Sequence, residues 1–146
     1  MTDTSFEPLL AFLDHHHVAH LSTAGTGGPH GTPVFFARRG SQIVWFSDTQ
    51  TLHSRHVAEC GPVSVTVAPS SPSMMHIEGV QMRGQASSAD DLQSDLAAVY
   101  FRRFPMARAM SLASQSHRFY LFEPTWARLV RLVAGVSRNQ EWSVAG

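Results

Sequence analysis

The densest set of reactive side chains in the chain is Trp45–His56, WFSDTQTLHSRH. Hydroxyls at Ser47, Thr49, Thr51 and Ser54 are interleaved with the potential cations His53, Arg55 and His56. An apolar run ends at Ser47, and a helix is expected to begin near Thr51. A helix start offers unpaired N–H groups and the positive end of the backbone dipole, so it attracts anions. A phosphate dianion placed there would take hydrogen bonds from Ser47 and Thr51, with charge-assisted bonds from His53 or Arg55. The same residue types also serve an ordinary helix start, where hydroxyls cap the backbone and the arginine stays in water.

The other reactive residues form no complete constellation. His53 and His56 have HxxH spacing, and His16 and His20 lie four apart, but neither pair has the carboxylate or cysteine partners of a metal site. No metal is expected. His15–His17 read as the solvated end of a helix, and His30 as a turn residue facing either a ligand or water. Cys60 has no catalytic partner in sequence and reads as packing. Ser22 lacks the GxSxG context of a nucleophile elbow. Trp126 and Trp142 read as core or interface residues.

Composition removes whole classes of chemistry. All eleven Lys+Arg residues are arginine. Without lysine there is no internal Schiff base for pyridoxal phosphate and no Walker A lysine. The eleven acidic residues balance them to zero net charge, so nothing draws the chain to nucleic acid. Any bound anion must be held by Arg, His, hydroxyls or backbone N–H groups. One cysteine among 146 residues allows no internal disulfide and suits a reducing cytoplasm. Residues 1–13 lack the basic cluster of a targeting segment, and no apolar run approaches membrane-spanning length. The length fits a single domain over 1–146.

These residues need positioning elements. Ser5–His16 reads as a helix capped by Thr4 or Ser5, with an apolar face of Leu9, Leu10, Phe12 and Leu13. Val18–Thr23, Thr32–Ala37 and Gln42–Ser47 read as three strands of a meander, separated by turns at 24–31 and 38–41. Thr51–Glu59 is a short helix stopped by Gly61-Pro62. Val63–Val67 and Ile77–Ala86 are strands, the latter with Gly79 and Gly84 as possible bulges. A long helix runs from Asp90 to Phe104, with further helix over Met106–Ala113. Arg118–Phe122 and Trp126–Val133 close the order as two strands joined through Glu123-Pro124. The pattern is mainly β (α+β): about six to seven antiparallel strands in a barrel with three to four peripheral helices.

From Val18 to Leu132 the chain resembles the pyridoxamine 5'-phosphate oxidase-like split barrels, especially small members with an internal GVQ segment. The carrying motifs are HLST (20–23), GTPVFFA (31–37), WFSDTQTLHS (45–54), CGPVSVTV (60–67), IEGVQMRGQA (77–86) and YFRRFP (100–105). The resemblance implies an antiparallel split β-barrel, a homodimer and FMN at the subunit interface. It implies a phosphate held at Phe46, Ser47, Thr51 and His53, with His53 standing where relatives usually carry lysine and Arg55 as a nearby substitute cation. It places the flavin ring along the backbone of Thr32, Pro33, Val34 and Phe35. Gln81 falls where relatives set a glutamine against the flavin edge; a solvent-facing strand glutamine looks the same in sequence. The implied activity is FMN-dependent oxidoreduction of a small molecule. A non-catalytic cofactor-binding or sensing module, or a haem or deazaflavin barrel, is the alternative. The tail GVSRNQEW (135–142) does not match the substrate-binding end of pyridoxamine phosphate oxidase, so that substrate is not assigned.

Overall fold

The computed structural model describes residues 6–71, 73–89, 95–112 and 115–143. Helix α1 (Glu7–Asp14) leads into the hairpin of β1 (Val18–Gly25) and β2 (Gly28–Phe35). Then come β3 (Ala37–Arg39), β4 (Gln42–Asp48), helix α2 (Leu52–Glu59) and β5 (Pro62–Val67). The long β6 (His76–Ala89) precedes α3 (Asp95–Arg103) and α4 (Pro105–Leu112). The 17-residue β7 (His117–Val133) follows, with β8 (Val136–Ser137) and β9 (Gln140–Ser143) at the end.

All strands join one antiparallel sheet in the order β2-β1-β5-β6-β7-β4-β3, and β8 and β9 also pair with β7. The sheet curls until β2 stands close to β4. This is the antiparallel split barrel with peripheral helices that the sequence predicts. The first strands do not form a meander, however. β2 pairs with β1, while β4 pairs with β7 from Ile43↔Phe122 to Asp48↔His117. The break falls at Phe36, which is fully buried and whose N–H donates to the His17 carbonyl at 3.0 Å. That anchor lets the chain leave one edge of the sheet and enter the other.

Burial explains why β4 takes an inner position. Ile43, Val44 and Trp45 are consecutive and all fully buried, which requires cover on both faces. Ile43 and Trp45 join the main core with Leu21, Val65, Met82 and Leu129, closed by Leu9, Phe12 and Leu13 of α1. Val44 joins a second core under α3, with Ala97, Tyr100, Phe101 and Phe119.

The two final strands expected on either side of Glu123-Pro124 are one strand. Pairing with β6 shifts by a residue between Arg83 and Gly84, so Arg83 faces Trp126 while Gly84 faces Pro124. A bulge is where a sheet interior tolerates proline, because one ladder bond is already given up there. Gly84 is required at this point: a Cβ would sit 2.0 Å from the Glu123 carbonyl oxygen. Gly79, the other expected bulge, has only ordinary contacts at its Cβ position. The expected helix start at Asp90, and the caps Thr4 and Ser5, lie outside the described residues. No described helix is long and apolar enough to cross a membrane.

Candidate functional site

Helix α2 begins where the sequence places it, and Thr51 is its N-cap. The Thr51 hydroxyl lies 2.9 Å from the Asp48 carbonyl and accepts the Ser54 N–H at 3.4 Å. The Ser54 hydroxyl donates to the same Asp48 carbonyl at 2.8 Å. The far half of α2 is tied to the β1–β2 turn. His56 is fully buried, with Nε2 2.9 Å from the Thr26 carbonyl and Nδ1 3.0 Å from the Thr23 hydroxyl. A carbonyl only accepts, so Nε2 carries a proton. Glu59 accepts both the N–H and the hydroxyl of Thr26, each at 2.8 Å, and these bonds hold its carboxyl below the usual range. Gly25 makes the approach possible, since a Cβ would lie 2.2 Å from Glu59 Oε2.

Fixed in this way, α2 directs His53 toward a cleft of about 600 Å³ between β2, β4 and the α3–α4 corner. The polar end holds Ser47 and His53, both buried, with His53 Nε2 3.0 Å from Ser47 Oγ and 3.3 Å from Thr51 Oγ1. His117 also lines the cleft, its ring 5.1 Å from that of Phe46. Pro33, Val34 and Phe35 form the wall on the β2 side. Tyr100, Phe104, Met106, Ala107 and Met110 form the facing wall. Burial pushes the Tyr100 hydroxyl up to about 12, and it donates to the Phe35 carbonyl at 3.4 Å. Tyr100 therefore stays neutral and structural near pH 7.

The structure brings six of the ten sequence-nominated residues to this cleft: Pro33, Val34, Phe35, Phe46, Ser47 and His53. Thr51 touches it through His53. Thr32 is beside it in sequence, and its hydroxyl oxygen is buried without a hydrogen-bond partner. Arg55 is exposed on α2 and lines a different opening, with Thr49, Arg118 and Tyr120. Gln81 is exposed on β6, opposite Thr66 and Arg128, and does not line the cleft. Sequence reasoning missed Tyr100, Phe104, Met106, Met110 and His117 as lining residues. Only Tyr100 and Phe104 carried a signal, within YFRRFP; the others meet the cleft because α4 and β7 fold back onto it.

Burial lowers the proton affinity of His53, and nearby His30 adds to the effect, so the side chain is neutral near pH 7. The ring of His30 also stands edge-on to His56, with centroids 6.2 Å apart. Elsewhere, His16 packs on Phe12 at 4.4 Å rather than lying free in water. Cys60, read as a packing residue, is exposed. Trp142 is buried and stacks on Phe6, whereas Trp126 lies under Arg83 at 4.2 Å. Among the described residues, no group of three or more His, Cys, Asp and Glu side chains could hold a metal ion.

Comparisons with known proteins agree with this architecture. UPF0306 protein YhbP of Salmonella paratyphi B is 35% identical over 76 residues, 51% of this chain and 52% of that protein. The chain thus spans about half the length of the curated relatives it matches. A heme binding protein from Mycobacterium smegmatis superposes with a TM-score of 0.73 at 18% identity, covering 98% of this chain and 58% of that one. General Stress Protein 26 from Bacillus anthracis gives 0.70 at 12% identity, covering 94% and 97%. At such identities these two structures establish the fold alone. The sequence profile of the pyridoxamine 5'-phosphate oxidase family matches residues 6–131, which take in the edge strand, the His53 helix and the bulged ladder; the chain belongs to that family.

Proposed function

We propose that the cleft binds FMN and that the protein is a homodimeric FMN-dependent oxidoreductase acting on a small molecule. The observation that carries this reading is the buried Ser47–His53 pair, 3.0 Å apart, at the polar end of an otherwise apolar cleft flanked by an edge strand. The donor set fits the cofactor. A hydroxyl and an imidazole next to a capped helix start suit a phosphate. The apolar walls of the cleft suit a flat ring. Strand β2 ends the sheet, so its outer backbone edge along Thr32–Phe35 is unpaired by any described strand, and the Phe35 carbonyl accepts from Tyr100. The orphaned Thr32 hydroxyl is a further unused polar group on this strand.

When bound, FMN supplies the hydride or electron transfer, and the protein supplies position and electrostatics. Ser47 donates its hydroxyl to the phosphate. His53 takes up a proton as the dianion arrives, because an opposite charge at contact favours the charged imidazole. The backbone of Thr32–Phe35 orients the ring. Thr51 holds the helix start in register rather than reaching the ligand, since its hydroxyl is committed to the cap. Gln81 lies off this cleft, so it would meet a flavin edge only from a second copy of the chain.

The test is the absorption spectrum of the freshly purified protein, followed by an FMN titration read by quenching of flavin fluorescence. Saturable binding that reaches one flavin per chain is expected. A Soret band would replace this reading with haem. A single deazaflavin band would replace the cofactor, and a colourless protein that binds none of the three would end the proposal.

A further inference from the structure

A second pocket, which shares no lining residue with the cleft, opens at the C-terminal end of α1 against β6, β7 and the loop after β5. Its volume is about 570 Å³, within the roughly 300–1,000 Å³ of small-molecule sites. Its walls carry opposite charges that do not pair with each other. Glu78 and Arg131 stand directly opposite across the β6–β7 ladder, where opposite charges ordinarily meet. Glu78 Oε1 instead lies 3.1 Å from His76 Nε2. The backbone of Arg131 bonds to Asn139 and Arg138, while its guanidinium has no hydrogen bond or ion pair among the described residues. Both side chains are half-buried and line the pocket. Glu78 also acts on His16 across this space: burial lowers the proton affinity of that imidazole, and the Glu78 carboxylate opposes the loss.

Apolar and aromatic surface adjoins the two charges. The rings of Phe12 and His16 pack 4.4 Å apart on one side, and Pro69 lies on the loop side. Helix α1 ends here, and its last carbonyls add negative potential that favours a cation. A guanidinium offers a planar fork to a carboxylate, and the free oxygen of Glu78 accepts from an ammonium. A simple anion would be repelled by Glu78, and a simple cation by Arg131. A molecule that carries both charges a few ångströms apart satisfies both walls. We infer that this pocket binds a free zwitterionic α-amino acid with an aromatic side chain. Its carboxylate meets Arg131, its ammonium meets Glu78, and its ring packs against Phe12 and His16. The inference is independent of the cofactor in the cleft.

The experiment titrates the full chain by calorimetry with L-phenylalanine, with hydrocinnamate, which lacks the ammonium, and with phenethylamine, which lacks the carboxylate. L-Phenylalanine is expected to saturate at one per chain. Each analogue should bind at least about tenfold more weakly, the effect of losing one charge-assisted hydrogen bond. Glu78→Gln should remove the preference over hydrocinnamate and keep that over phenethylamine, and Arg131→Gln should do the reverse. A readout in the unaltered protein guards against variants that fold poorly. With histidine rings labelled, L-phenylalanine should shift the resonances of His16 and His76 and leave those of fully buried His56 in place. Equal affinity for the three probes, or no binding at millimolar concentration, would overturn the inference. Shifts confined to His53 and His117 would also overturn it, because they would put the ligand in the cleft. So would binding that weakens as protein concentration rises, which would mean that a second copy closes the pocket.

Discussion

His53 carries the anion-binding proposal at the scale of a single residue. Burial and His30 keep it neutral in the free protein near pH 7, so any charge it lends to a phosphate must arrive with the ligand. Replacing it with alanine should weaken FMN about tenfold around pH 6, the ~1.4 kcal/mol of one charge-assisted hydrogen bond. The loss should shrink toward pH 9, where the imidazole stays neutral even beside a dianion. Fluorescence titrations across that range check this, and a loss independent of pH would remove His53 as the charge partner. Arg55→Ala is the matched control. Arg55 opens onto another part of the surface, so FMN affinity should hold within about twofold, the scale of an exposed substitution away from the ligand. Ser47, Thr51 and His53 were legible as a group because hydroxyls and cations cluster just before a helix. The sequence left open whether Thr51 caps the helix or reaches a ligand, and its bonds to the Asp48 carbonyl and the Ser54 N–H decide for the cap.

Among the elements, α2 and the bulged ladder do the positioning. Thr51→Ala should cost about 1 kcal/mol of stability, the usual worth of an N-cap, and Thr51→Ser should restore most of it. Gly84→Ala places a Cβ against the backbone of Glu123, so it should cost about 2 kcal/mol or more through overpacking. Urea unfolding midpoints measure both. A Gly84→Ala protein as stable as the parent would mean that the ladder relaxes at no cost. The α2 boundaries were readable because a cap, a short amphipathic run and Gly-Pro follow one another in sequence. The continuity of β7 was not. Glu123-Pro124 reads as a break, and only the extra residue across from Gly84 shows how a proline fits inside a strand.

Over the whole molecule, stability should depend on pH in two windows. His53 and His16 both bind protons less readily in the folded chain than the ordinary histidine value of 6.5. Below that pH the unfolded chain takes up protons that the folded chain resists, so stability is full above about 6.5 and declines as pH falls. Asp14, Asp48 and Glu59 have lowered carboxyl values through bonds to Arg38, to Gln50 and Ser116, and to Thr26. Their contribution is present above the ordinary carboxylate range and is lost as pH falls through it. His53→Gln should flatten the upper decline without altering the lower one. Denaturant midpoints from pH 7 to 4 test this, and an unchanged upper slope would refute it. The positions of β1, β4, β5 and β6, the apolar face of α1 and the hydroxyl–imidazole cluster followed from sequence alone, because each rests on neighbours within a few residues and on a period of 2 or 3.6. Only the tertiary structure decided that β4 pairs with β7, that α4 and His117 complete the cleft, and that Arg55 and Gln81 face away from it. Those outcomes depend on contacts between distant segments, set by which faces must be buried together, and no local pattern encodes them.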